Sequence, residues 1–522
     1  MGNRTRRELL ADVGRGMLVA NLGVGLTTDL GLQPAWAAEE PATLTFGDLE
    51  PLVAFLQDTA PEKLLAATVQ KLKAGTELKT IVAAAALANA RAFGGEDYIG
   101  FHTLMALAPA YHIAMQEADL ARRPLVVLKV LMRNATRLKE SGNAKSHVLH
   151  APQAPSGATT TATGERLRDA VRRCDLPAAE GIFRDIATNP AQQALDQLLV
   201  MVDDATEVHR VVLVSRAWDL IDFVGSERAH TLLRQSVHYC VKSEKYPNAV
   251  KTSQEIRDLL PKLLDEKHLV GRARGTKPVD DAWVRTMSET LFQTSPAQAA
   301  SAVADAIAEG IANDAIGEAI SIAANQLVLR DSGRPKGQTQ ANKPLGSIHG
   351  DSIGVHACDS AHAWRNLARV GGQRTQVSSL ILGAYQVARD RLERGGDFAK
   401  WTAYPRTEHR EATASVPADS ILKALEDAIR ANDQVRAAAL MDRFSSPTND
   451  VAAFALFRRY AISEDGALHA EKYYRTVAEE YASARPAFRT NQLIALARVT
   501  ASAFGQPAPG YADACGELGV KA

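Results

Sequence analysis

Cysteine is scarce. Cys174, Cys240, Cys358 and Cys515 are the only four in 522 residues. Their scatter leaves no Cys-x-x-Cys pair and no haem-attachment motif; one or two disulfides stay open in an oxidising compartment, with no pairing fixed. Formal net charge is zero, 60 basic residues against 60 acidic, and no basic stripe carries interleaved aromatics, which argues against a dedicated nucleic-acid binder. Beyond the first 37 residues no run of about twenty apolar residues could span a membrane. A Gly-x-Ser-x-Gly elbow, a phosphate loop, a dinucleotide fingerprint on a strand and His-Glu-x-x-His are all missing, so the common hydrolase, nucleotide and zincin readings fall away. Aromatics make up only 6% of the chain, while alanine is abundant, which favours closely packed helices.

The N-terminus reads as an address. Thr5-Arg6-Arg7-Glu8-Leu9-Leu10 resembles the twin-arginine export signature, a moderately apolar stretch from Met17 to Leu32 follows, and Ala35-Trp36-Ala37 offers small residues for cleavage. Residues 1–37 are therefore expected to be a signal peptide read by the twin-arginine export machinery, giving a periplasmic or secreted protein. That route carries folded passengers, often with a cofactor already inserted.

From Phe46 onward apolar residues recur with a helical period and strand-like alternation is lacking, which predicts an all-α fold. Divergent helical repeats are expected, about four five-helix units packed as one array or bundle: 45–140, 165–245, 280–395 and 418–506. Ser141 to Gly164, rich in Ser, Thr, Ala and Pro, reads as a mobile linker, with His147 and His150 solvated on it, and 331–352 as a long loop. Pro109 is expected to kink or interrupt the helix that reaches Tyr111-His112. Lys129 and Lys472 read as residues on solvated helix faces.

The units share a register. Ile99-Gly100-Phe101-His102 parallels Ile353-Gly354-Val355-His356, and an Ala-aromatic pair follows each, Ala110-Tyr111 and Ala363-Trp364. His209 precedes Ala217-Trp218. From Trp218 the chain reaches Val224-Gly225, Arg228 and Tyr239 at offsets of six, seven, ten and twenty-one, and from Trp364 it reaches Val370-Gly371, Arg374 and Tyr385 at the same offsets. His469 precedes Tyr473-Tyr474. Duplication would put His102, His209, His356 and His469 at equivalent helix starts.

The densest chemistry lies from His349 to Trp364, where three histidines, two aspartates and a cysteine fall within sixteen residues. Asp351 or Ser352 can cap a helix there, and His356 then shares a face with Asp359 and Ser360, while Cys358 and His362 face the other way. Two accounts fit the four recurring histidines. They are structural hydrogen-bonders at helix starts, or they converge as ligands for a transition metal such as iron, zinc or copper, with Asp359 and Asp351 as proton-transfer or supporting groups beside His356.

The His before an Ala-aromatic helix, together with the late His469-Ala-Glu-Lys-Tyr473 run, resembles the questin-oxidase-like family. The resemblance implies a helical oxidoreductase of the Baeyer–Villiger type, acting on aromatic ketones, though this chain departs from that family in carrying an export signal. Two functions follow: an exported, metal- or cofactor-dependent oxidoreductase with a histidine-lined centre, or a non-catalytic helical-repeat scaffold binding a small-molecule or protein ligand outside the cytoplasm. Replacing Arg6 and Arg7 together by lysine should abolish export in cell fractionation, while a chain lacking residues 1–37 folds normally. Full export of the double variant contradicts the assignment.

Overall fold

Four helices, each beginning beside one of the recurring histidines, build the centre of the molecule. In the computed structural model, which describes residues 42–142, 146–152 and 162–522, these are α1 (Tyr98–Gln116), α2 (Val208–Asp219), α3 (Ile353–Val370) and α4 (Ala470–Ser483). Residues Thr43–Ala522 form one compact unit. The expected signal peptide lies outside the described residues.

Local chemistry explains where the four begin. The Asp97 carboxylate accepts the Gly100 N–H at 2.8 Å, Glu207 accepts that of Arg210 at 3.0 Å, and the Ser352 hydroxyl accepts that of Val355 at 3.3 Å. Each satisfies a donor that a helix start leaves open. α4 starts differently, from His469 behind a short turn, Gly466–Leu468. Ala467 and Leu468 hold φ of 48° and 74° there, left-handed backbone that costs a residue with a Cβ roughly 1–2 kcal/mol.

α1 packs on α2 and α4, and α3 packs on the same two, so the four close into a ring. Around them lie Leu78–Phe93 and Leu125–Ser141 against α1, Asn313–Arg330 and Gln373–Arg391 against α3, and Pro486–Ala503 against α4. The glycine of the repeated Ile-Gly-x-His motif permits two of these contacts. A Cβ on Gly100 would sit 2.5 Å from the Phe93 ring, and one on Gly354 would sit 2.7 Å from the Val328 backbone nitrogen. Among the described residues the fold is all-α, with no strand and only isolated bridges.

Several expectations need correction. Pro109 lies inside α1 without ending it. A mid-helix proline costs about 3 kcal/mol, and a helix buried from Gly100 to Ala110 offsets that through packing. A further helix, Pro247–Glu266, joins the second and third units where none was foreseen. Within the supposed mobile linker, 143–145 and 153–161 lie outside the described residues, but the part between them is docked. Leu149 is fully buried, Val148 and Leu149 donate to the Arg91 carbonyl, and Arg234 donates to that of His150. Nor are Lys129 and Lys472 solvated, being only 1% and 2% exposed. Lys129 pairs with Glu471 at 2.8 Å and donates to the carbonyls of Ala461 and Glu464, and Arg133 pairs with the other Glu471 oxygen. This cluster fixes the start of α4 against Leu125–Ser141.

A second buried pairing makes stability depend on pH. His238 donates from Nδ1 to Glu96 at 2.9 Å and from Nε2 to Glu180 at 2.6 Å. Burial opposes its charge, but the two carboxylates outweigh burial and raise its pKa. The imidazolium therefore contributes stability that is full below the unfolded value of about 6.5 and is lost as pH rises through the raised folded value. Urea unfolding of wild type and His238→Gln should show a gap that is widest on the acid side of neutrality and shrinks at alkaline pH. A gap that grows with pH contradicts the pairing.

Candidate functional site

The four histidines meet. Ring centroids lie 4.9 Å apart for His102 and His209, 5.3 Å for His209 and His356, 5.1 Å for His356 and His469, and 5.2 Å for His469 and His102. The order follows the ring of helices, one imidazole from the start of each. All four are buried or nearly so.

Hydrogen bonding fixes how three of the rings are protonated. His102 Nδ1 lies 2.7 Å from the Tyr98 carbonyl, His469 Nδ1 lies 2.8 Å from that of Ala467, and His209 Nδ1 lies 2.8 Å from a Glu207 oxygen. Carbonyl and carboxylate oxygens only accept, so Nδ1 carries the proton in each, and in the neutral ring Nε2 is the bare acceptor. Burial, then the charge of Lys472, pushes the pKa of His102 and His469 well below the ordinary imidazole range, so both are neutral. Nε2 of His102 and of His209 is buried without a hydrogen-bond partner among the described residues. Nε2 of His469 meets Nε2 of His356 at 3.1 Å, a distance at which a proton or a cation must stand between two lone pairs. The strained turn thus has a local result, since the Ala467 carbonyl orients His469.

This donor set suits a metal ion. Neutral imidazoles with Nδ1–H tied to a carbonyl or carboxylate are the usual form of a metal-ligating histidine. With bonds of about 2.0–2.1 Å, ring centroids stand about 5.2 Å apart at a tetrahedral angle and about 4.5 Å at a right angle. The observed 4.9–5.3 Å lies close to the tetrahedral value. As the side chains stand, no group of three or more His, Cys, Asp or Glu among the described residues is drawn up to hold an ion, so the rings would have to turn inward on binding.

Charged groups surround the ring. Lys472, one turn along α4, is fully buried. Burial pushes its pKa down to about 7, with Asp359 and Glu471 pulling up and Arg133 and Arg216 pushing further down. Asp359 accepts from the Thr476 hydroxyl at 2.8 Å, a turn below His356 in the bundle interior. Asp351 ion-pairs with Arg334 at 3.0 Å and Lys343 at 2.9 Å. Burial works against its charge, but Lys343, Arg334 and then His356 outweigh burial and hold it as a carboxylate. Glu207 likewise stays ionised despite burial, through His209 and the Tyr239 hydroxyl at 2.7 Å. A narrow apolar cleft of about 30 Å³ reaches His469 between Phe457, Tyr460, Tyr473, Leu496 and Val499.

The other candidates of the dense stretch lie elsewhere. His349 bonds Ser502 and the Asn342 carbonyl, pinning the 331–352 loop. Gly350 of that loop touches the strained turn, where a Cβ would come 2.9 Å from that of Ala467. His362 sits between Glu479 at 2.7 Å and Glu480 at 2.8 Å, two turns down α3 from the ring. Cys358 is buried against Tyr473, and burial raises its thiol pKa. Lys472 was the residue missed in the sequence. Its signal was the i, i+3 spacing from His469, which puts both on one helix face.

No family model matches this chain, and no curated protein or solved structure shows significant similarity to it.

Proposed function

We propose that this chain is an exported, all-helical oxidoreductase whose centre is a transition metal held by His102, His209, His356 and His469. The observation that carries the reading is the closed ring of buried imidazoles, three of them tied at Nδ1 and two with an unpartnered Nε2. The scaffold alternative expects each histidine to serve its own unit with the rings far apart, and centroids within 5.3 Å of their neighbours speak against it. Four nitrogen donors suit iron, copper or zinc, and a bound iron or copper ion would supply one-electron chemistry there. The resemblance to questin-oxidase-like proteins points to the same class, as does the twin-arginine signature, whose route carries folded, cofactor-loaded passengers. The recurring helix start favours reading the four segments as divergent copies.

The chain's own groups have separable tasks under this reading. Glu207 and the carbonyls of Tyr98 and Ala467 keep the ligating rings in one tautomer. Asp351 balances charge beside His356. Lys472, with a pKa near 7, can hold or release a proton within the field of His102 and His469. Four helix N-termini and Lys472 make the centre positive, which favours a substrate that reacts as an anion, such as a phenolate or enolate. The apolar walls of the cleft at His469 keep the surroundings of the centre dry.

Metal content tests the proposal. Protein purified from its own export pathway should carry about one transition-metal ion per chain by mass spectrometry. His102→Ala and His209→Ala should lose it, and Glu207→Gln should weaken affinity about 10–100-fold, while His349→Gln keeps it. A metal-free wild type that takes up no iron, copper or zinc, or equal binding by the ring variants, contradicts the reading.

A further inference from the structure

Beyond the histidine ring, we propose a second binding site, for a small molecule bearing carboxylate or phosphate groups, in the groove formed by Asn313–Arg330, Pro486–Ala503 and residues 400–410. The groove is open to solvent, has a volume of about 640 Å³ and continues into a neighbouring hollow of about 140 Å³, with Gln326, Arg330 and Asn491 lining both. It shares no lining residue with the cleft at His469. The helix Pro486–Ala503 borders both, giving Asn491 and Ile494 to the groove and Leu496 and Val499 to the cleft.

Cationic groups without a counter-charge gather at this groove. Several buried arginines elsewhere meet carboxylates, Arg210 with Glu244, Arg133 with Glu471 and Arg365 with Glu480. Three guanidinium groups here pair with no carboxylate among the described residues. Arg330 donates to Gln326 at 3.1 Å and to the Trp401 carbonyl at 2.8 Å, and its guanidinium lies 4.9 Å from the centre of the Phe292 ring. Burial is the one influence on its pKa, which is lowered. Arg406 lies 4.7 Å over the Tyr404 ring, and its Nε is buried with no partner. Arg285, in the adjoining hollow, lies 5.5 Å over Phe488. Desolvating a cation without a counter-charge is costly, and an oxyanion accepting from Arg330 and Arg406 would relieve that cost with charge-assisted bonds. At the rim the cations are already matched, Lys400 with Asp397 and Arg410 with Asp442.

The groove is also held in shape from behind. Arg498, buried, donates to the Asp331 carbonyl at 2.8 Å and packs 4.2 Å from the centre of the Tyr404 ring. The Tyr404 N–H donates to the Leu329 carbonyl at 2.8 Å. Trp401, half-buried at the groove, offers a flat face to the rest of a ligand, and the amides of Gln326 and Asn491 offer neutral hydrogen-bonding groups. A groove of this size admits a ligand larger than a bare ion, so the oxyanion is one part of what is bound.

Isothermal titration at low ionic strength tests this with inorganic phosphate, citrate and neutral glycerol as probes. Phosphate, citrate or both should bind and glycerol should not. Arg330→Gln and Arg406→Gln should each weaken binding about ten- to a hundredfold, the scale of one charge-assisted bond, and high salt should abolish it. Binding of phosphate alone assigns a phosphorylated ligand, and of citrate alone a carboxylate. His209→Ala, which disables the proposed metal centre, should bind the anion as wild type does, so the two proposals stand or fall separately. Should Arg330→Gln fail to fold, Arg406→Gln and Arg285→Gln, the latter at an exposed position, carry the test. The proposal is overturned if neither anion binds, or if both bind the variants as tightly as wild type.

Discussion

Four imidazoles stand where four helix N-termini converge, and the rest of the architecture answers to that constraint. Each helix start carries about half a positive charge, so a protonated histidine among them is disfavoured, and burial adds to the effect at His102 and His469. Neutral rings need partners of their own. Three find one by donating from Nδ1, to a backbone carbonyl in two cases and to the capping carboxylate Glu207 in the third. The result is a set of nitrogen lone pairs enclosed among the helices, which is costly to leave unmet and well suited to a cation.

Rigid surroundings keep those lone pairs together. The buried Lys129–Glu471–Arg133 cluster fixes the start of α4, and the 331–352 loop, pinned by His349, presses Gly350 against the strained turn that orients His469. At the start of α3 and of α1, a glycine lets the helix approach its neighbour closely enough to bring the next histidine inward. A side chain at Gly354 would push α3 off the Val328 backbone and carry His356 with it. Strain at Ala467 and Leu468 is therefore a local cost set against the position of one ring.

Much of this was legible in the sequence. The helical class follows from periodicity, and the shared register of Ile99-Gly100-Phe101-His102 and Ile353-Gly354-Val355-His356 singles out the histidines that meet, although thirteen are present. Composition could not show which neighbours a helix face would find. Lys472 and Lys129 read as solvated because lysine is seldom buried, yet the bundle interior is polar and Glu471 lies there to receive Lys129. The crowded stretch from His349 to Trp364 suggested one compact centre, but its three histidines diverge to a loop, the ring and a carboxylate pair. Proximity in sequence was the weaker guide, and equivalence of position between segments the better one. Pro109 does not interrupt its helix, since packing around a buried helix can outweigh a missing hydrogen bond.

The ring and the groove beyond Tyr404 are alike in one respect: each holds buried nitrogen atoms without a hydrogen-bond partner among the described residues, Nε2 of His102 and His209 in the first and Nε of Arg406 in the second. Under the two proposals the first suit a cation and the second an anion. X-ray absorption at the metal edge of the loaded protein tests the central claim most directly. A first shell of nitrogen scatterers at about 2.0–2.1 Å, with the outer-shell pattern of several imidazoles, is the predicted result. A shell dominated by oxygen or sulfur, or one left unchanged when His102 or His209 is replaced by alanine, would contradict it.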